Sequence, residues 1–373
     1  MSGRADGGSS GSGGVGTLPP VDEVQVSDRR ITAPYTREEN PVNQGETLWK
    51  RDWKLSVGPR QEIKPDRPAY EQAKDSSALN LSEFDFIFHV ESAALMTPTK
   101  AEITIYNVGK DVVNRLNNEL TFIWLEAGYA KPSTQYGKIF GGEIVYFKHG
   151  RRGGTDTYVE VHAFQSDQPV TAAIINTTLP AGHSQRDVLQ AVADAMGLSL
   201  GQVMDLGSAG APRGRALYGM ARDVLRDLAR TANGEAFIDK DGKLNVLAKG
   251  SPLQMSNDVV PVLNSRTGLI DMPILTLGKG VDIRCLLNPS IVPGGQVRIN
   301  QKDVTKIEKG NASLFADLEL KLETQEKTFQ VDGYYRVNAV RHQGESRGNA
   351  WYTEIVTESY DPTENPIGIR PSV

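Results

Sequence analysis

The stretch "FDFIFHV", Phe84–Val90, decides how the chain is read. Phe84, Phe86, Phe88 and Val90 share one parity while Asp85 and His89 share the other, the period-two pattern of a strand with one buried face. "AEITIYN" (Ala101–Asn107) repeats the pattern, with Ala101, Ile103 and Ile105 opposed to Glu102, Thr104 and Tyr106. Downstream, "VGKDVVNRLNN" (108–118) reads as a short helical or turn segment. Three more strands are expected in "LTFIWLEAGYA", "GKIFGGEIVYFKHG" and "TDTYVEVHAF", a meander punctuated by Pro132, by Gly141 with Gly142, and by the "GRRGG" turn. Such a meander predicts an antiparallel barrel or sandwich.

Helical grammar follows. "GHSQRDVLQAVADAMG" places Ser184 as N-cap with Asp187 three residues on, an apolar stripe of Val188, Leu189, Val192, Ala195 and Met196, and Gly197 as stop. "RALYGMARDVLRDLARTANG" predicts a second helix with the stripe Leu217, Met220, Val224, Leu225 and Leu228, ended by Gly234. "EAFIDKDGKLNVLA" predicts a hairpin turning on positive φ angles at Asp241 and Gly242. Strand rhythm then returns. "CLLNPSIVPGGQVRIN" (Cys285–Asn300) reads as a strand, an elbow at Pro293, Gly294 and Gly295, and a second strand. The last folded segment predicts a hairpin with Tyr335, Val337 and Ala339 on one leg, Trp351, Thr353 and Ile355 on the other, and the polar loop "HQGESRGN" between.

The fold class expected is mainly β with an α+β insert, two tube-like antiparallel β-barrel domains flanking a small helical domain. The boundaries expected are a flexible N-terminal arm over 1–47, rich in Gly and Ser at its start, a first barrel over 48–170, a small α+β domain over 171–250, a second barrel over 251–360 and a tail over 361–373. The two β regions could be distant copies of each other.

At 373 residues the chain is too long for one compact core, and 39% hydrophobic with 23% charged residues is enough to bury two or three. A net charge of −5 gives no basic face for gripping phosphate backbones. The one cysteine, Cys285, excludes an intrachain disulfide and fits a cytosolic folding environment. Val281, Ile283 and Leu287 share its parity, which makes it a buried small hydrophobe. No apolar run is long enough for a membrane-spanning segment.

Motifs for chemistry are missing. The sequence has no G-x-x-x-x-G-K-[ST], no G-x-G-x-x-G after a strand and no G-x-S-x-G. His89, His149, His162, His183 and His342 stand singly, with no spacing that puts two imidazoles on one helical face. "DKDG" (Asp239–Gly242) opens like a calcium loop, but Gly250 stands where the closing glutamate belongs, so it reads as a turn. "DLELKLE" reads as one wet strand face. No catalytic, cofactor-binding or metal residues are assigned, no cofactor is expected, and the protein-interface residues are left unknown.

The order of "NLSEFDFIFHVESAALMTPTKAEITIYNVG", "GHSQRDVLQAVADAMGL", "TGLIDMP", "IRCLLNPSIVPGGQVRIN" and "DGYYRVNAVRHQGESRGNAWYTEIVTE" resembles the baseplate hub proteins of contractile-tailed, Mu-like bacteriophages over residues 48 to 360. It departs from their pattern at Thr99, where an asparagine is expected, and in its longer N-terminal arm. The resemblance implies a structural, non-enzymatic protein with two tube-like barrels per subunit. It also implies a homotrimer whose six barrels imitate the six-fold tail tube protein above while the three-fold central spike protein attaches below, strands pairing across subunits to line a channel. Other baseplate proteins would be neighbours, DNA would pass through the lumen without specific binding, and assembly would take place in the host cytoplasm before incorporation into the virion. The alternatives are a tail-associated cell-wall hydrolase with β-rich modules and a tail-tube protein.

Overall fold

The computed structural model describes residues 48–59, 79–118, 120–130, 133, 135–254, 260–271, 273–275, 280–299 and 333–360. The arm over 1–47, the tail over 361–373, Pro132 and "DLELKLE" lie outside them. The first β region contains β1 (Arg51–Pro59), β2 (Leu79–Asn80), β3 (Phe86–Ala93), β4 (Thr99–Tyr106), α1 (Lys110–Asn118), β5 (Leu120–Tyr129), β6 (Tyr136–Arg152) and β7 (Asp156–Gln165). The strands pair antiparallel in the order β3-β4-β7-β6-β5-β1-β2. The alternating apolar residues Phe86, Phe88, Ile103, Ile105, Phe140 and Val161 meet on one side as a dry core. The sheet curls until β1 faces β3, where Trp53 packs edge-on against Phe86 (6.2 Å between centroids) and tilted against Trp351 (5.8 Å). The Arg51 guanidinium donates to the carbonyls of Glu345 (3.3 Å), Gly348 (2.6 Å) and Asn349 (2.9 Å). Side chains thus fasten that seam.

β6 runs through Gly141 and Gly142, as the single strand expected in "GKIFGGEIVYFKHG" requires. A Cβ on Gly142 would lie 2.5 Å from the Phe164 carbonyl oxygen and 2.6 Å from the Phe140 ring, so the glycine is there for close approach of strand and ring. β6 runs on to Arg152 beside β7.

The insert holds α2 (Asp167–Thr171), β8 (Ile174–Leu179), α3 (Gln185–Met196), β9 (Ser199–Val203), β10 (Arg215–Met220), α4 (Ala221–Thr231), β11 (Gly234–Ile238) and β12 (Lys243–Ala248). The capping box of α3 forms as expected, Asp187 N donating to Ser184 Oγ (3.2 Å) and Ser184 N to Asp187 Oδ2 (2.7 Å), with Gly197 left-handed at φ 66°. The second helix is shorter than expected. Leu217 and Met220 belong to β10, which pairs with β8, because strand pairing captures the first third of the apolar stripe. Asn233 (φ 50°) takes the left-handed turn assigned to Gly234, which instead opens β11. In the β11–β12 hairpin Gly242 alone has positive φ (78°); Asp241 does not, because the Asp239 carboxylate braces the turn by accepting from the amides of Asp241 and Lys243, each at 2.9 Å.

The second β region contains β13 (Val262–Leu263), β14 (Ile274–Leu275), β15 (Val281–Leu286), β16 (Gln296–Ile299), β17 (Gly333–Glu345) and β18 (Trp351–Tyr360). The elbow turns at Gly294 (φ 78°), and the strands it joins separate, β15 pairing with β18 and β16 with β17. Their inner residues build a second core from Val281, Ile283, Cys285, Val297, Val337 and Ile355. Tyr335, Val337 and Ala339 share one leg of the hairpin, β17, as expected, but the leg changes phase between Val337 and Ala339. Val337 pairs with Thr357 and Ala339 with Val356, so Asn338 is an extra residue, a β-bulge that hands the inward positions to Val340 and His342.

β17 also pairs with β3, from Ala339↔Ala93 to Glu345↔Ile87, and this ladder fuses both β regions into one sheet. The insert is locked into the joint. Phe237 lies against Gly294, where a Cβ would come within 2.4 Å of its ring, and the buried Arg336 reaches Glu235 at 2.7 Å. The Lys240 carbonyl accepts from Lys138 Nζ (2.5 Å) and Gln165 Nε2 (2.9 Å).

Candidate functional site

One face of this sheet covers the cores, and the other carries charge from strand to strand. Each charged residue sits at the parity opposite a core residue, so the register that stacks the apolar side chains also lines up the ionic ones. From β15 to β3 the chain of contacts is Asp271–Arg284 (3.5 Å), Arg284–Glu354 (3.8 Å), Glu354–Arg341 (3.4 Å) and Arg341–Glu91 (2.8 Å). Glu91 stands opposite Lys100 on β4. From there it continues as Lys100–Glu102 (2.6 Å), Glu102–His162 (3.5 Å), His162–Glu160 (2.8 Å) and Glu160–Lys148 (2.9 Å) on β6. Tyr146 stacks on His162 at 4.2 Å, and the Arg284 guanidinium lies 3.8 Å over the Tyr352 ring.

The electrostatics follow from the pairing. The hydrogen bond from Lys100 holds the Glu102 carboxyl below its ordinary range, and that from Lys148 does the same for Glu160. Asp282 behaves oppositely. Burial raises its carboxyl, and its Oδ1 has no hydrogen-bond partner among the described residues. It lines an open groove of about 670 Å³ with Glu91, Lys100, Asp271, Arg284 and Arg341, beside the exposed Ile274 and Val356.

The arrangement can carry mutual screening of charges and apposition of a surface. Among the described residues no His, Cys, Asp and Glu side chains gather in a group that could hold a metal. His89 and His149 are exposed, and His183 Nδ1 lies 2.8 Å from the Pro180 carbonyl. His342 is sealed in the sheet with Nδ1 2.9 Å from Thr353 Oγ1, and burial drives its pKa down to about 3. Cys285 is buried as expected, and burial pushes its thiol up to about 12, which keeps it protonated and inert. No described helix is long and apolar enough to cross a membrane. The charged face was not read from the sequence as a site. Its signal is charge recurring at outward parities of seven strands, and only the register turns those charges into pairs.

A curled antiparallel sheet with cores on one face and ion pairs running across the other makes this a mainly β protein. The family model described as Baseplate hub gp41 matches residues 80–334, and the chain belongs to that family. It is a structural protein of the bacteriophage tail baseplate and a component of the virion tail. Among solved structures it is similar in fold to the 43 kDa tail protein of prophage MuSo2 from Shewanella oneidensis, with 7% identity, 83% of this chain and 98% of that chain covered, and a TM-score of 0.50. A tail protein from Neisseria meningitidis MC58 matches with 11% identity, coverage of 83% and 97%, and a TM-score of 0.49. No curated protein matches the chain.

Proposed function

We propose that the chain is a trimeric symmetry adaptor joining the six-fold tail tube to the three-fold central spike, with the charged sheet face lining the channel through which DNA passes. The observation that carries this reading is the fusion of two β regions, each with its own core, into one sheet through β17 and β3. Two such lobes per chain let three chains present six. The ionic face suits a conduit because Arg284, Arg341, Lys100 and Lys148 are each held by carboxylates, leaving them poor ligands for phosphate. The work assigned to the chain is assembly, without chemistry of its own. The insert, pinned at the joint by Phe237 and Arg336, fixes the angle between the lobes. Light scattering on the purified protein tests the reading: a mass of three chains supports the adaptor, six chains support a tube subunit, and a single chain at baseplate-like concentration overturns it.

A further inference from the structure

We infer that the groove beside Asp282 is a binding site for one alkylammonium group, the end of a lysine side chain presented by another polypeptide, with Asp282 as counter-ion and Ile274 and Val356 flanking the alkyl stem. Two adjacent rows of outward side chains cross the sheet here. In one, the register partners Arg284, Glu354, Arg341, Glu91 and Lys100 alternate in charge, so each faces its opposite. In the other, Ile274, Asp282, Val356, Ala339 and Ala93 stand side by side, and one carboxylate is set in a row that is otherwise apolar. Every residue of this second row lines the groove.

Charge and shape select the occupant. The lining holds four carboxylates, on Glu91, Asp271, Asp282 and Glu354, against three cations, on Lys100, Arg284 and Arg341. Each cation is held by a carboxylate other than Asp282, at 2.6 Å for Lys100, 3.5 Å for Arg284 and 2.8 Å for Arg341. Asp282 is the acid left over. Its Oδ1 is shut off from solvent with no hydrogen-bond partner among the described residues, and burial raises its carboxyl. An incoming cation stabilises a carboxylate in that state, whereas a phosphate is repelled by it. Ile274 (67% exposed) and Val356 (46%) are its register partners on the neighbouring strands, apolar surface that a hydrocarbon stem covers while its charged end reaches the acid. With Oδ1 shielded, the carboxylate does not offer both oxygens to a planar guanidinium fork, which favours the compact ammonium of lysine over arginine. At about 670 Å³ the groove also has room for the main chain carrying that lysine, space that a free amine would leave unfilled. None of this requires the face to line a channel.

Ligand-observed NMR titration of the full chain tests the site. The probes are the blocked tripeptide alanyl-lysyl-alanine, its norleucine counterpart with the same stem and no ammonium, its arginine counterpart, and n-pentylammonium. The lysine peptide is expected to bind saturably, and the norleucine peptide about tenfold more weakly, the factor expected of one charge-assisted hydrogen bond. Asp282→Asn should weaken the lysine peptide by a similar factor and leave the norleucine peptide unchanged. This variant keeps the shape of the side chain and removes a desolvated charge, and near-ultraviolet circular dichroism confirms its fold. Val356→Ser should weaken both peptides together, because it removes stem contact and leaves the acid in place. Absence of saturable binding, equal affinity for the lysine and norleucine peptides, or an unchanged lysine affinity in Asp282→Asn overturns the site. Tighter binding of the arginine peptide overturns the choice of lysine, and n-pentylammonium binding as tightly as the lysine peptide overturns the polypeptide as its source.

Discussion

At the residue scale, glycines and one histidine show what register adds to composition. Gly142 lies inside a strand although glycine is poor in strands. The reason is the Phe164 carbonyl and Phe140 ring, whose positions depend on a neighbouring strand. Gly142→Ala is expected to cost about 2 kcal/mol or more by denaturant unfolding, from overpacking. Gly153→Ala, with φ 62° and nothing within 4 Å, should cost only the left-handed strain of about 1 kcal/mol. His342 makes the chain acid-sensitive. Its folded pKa of about 3 lies below the unfolded value of 6.5, so between those limits the unfolded chain takes up a proton that the folded one refuses. Stability is expected to fall as pH drops through that window, by up to a few kcal/mol. His342→Gln should flatten the slope of urea midpoint against pH there, and an unchanged slope would assign the acid sensitivity to other groups.

At the scale of elements, apolar patterning located the strands and α3, whereas their ends and phases depended on tertiary partners. The stripe from Leu217 to Leu228 is compatible with one helix, and only the pairing of β10 with β8 cuts it at Ala221. Asn338 has nothing in its sequence neighbourhood to mark a bulge, so the phase change that brings in Val340 and His342 was not legible. The joint between insert and sheet was likewise hidden, since Arg336 and Glu235 are 101 residues apart. Their contact has a measurable consequence. The Arg336 side chain is 3% exposed, and Glu235→Ala leaves its guanidinium with Asn338 Oδ1 (3.2 Å) as its remaining hydrogen-bond partner among the described residues. The loss is expected to be about 3 kcal/mol, because an unpaired buried charge costs more than the pair contributes. Glu235→Gln, which keeps an acceptor, should lose less, and calorimetry of the two variants checks the order.

At the scale of the whole molecule, the mainly β class with a helical insert was legible, and so was the family, through the order of its segments. The single sheet was not, because the β3–β17 ladder joins residues such as Glu91 and Arg341 that lie 250 positions apart. That ladder also completes the ionic lattice: Arg341 is held by Glu91 from the first β region and by Glu354 from the second. If the face lines a DNA channel, neutralising the carboxylates that hold its cations should convert a slippery wall into a sticky one. Glu91→Gln with Glu354→Gln keeps the shape of both side chains but releases Arg341 fully and Arg284 on its Glu354 side. The unmodified protein is expected to show no retention of duplex DNA at about 150 mM salt, where the Debye length is ~8 Å. The double variant should bind at lower salt, with log affinity falling against log salt at a slope of about −1 per copy for the one cation fully released. Equal binding by both proteins, or a steep slope already present in the unmodified one, would mean that the carboxylates do not mask the face, and the channel would need another wall.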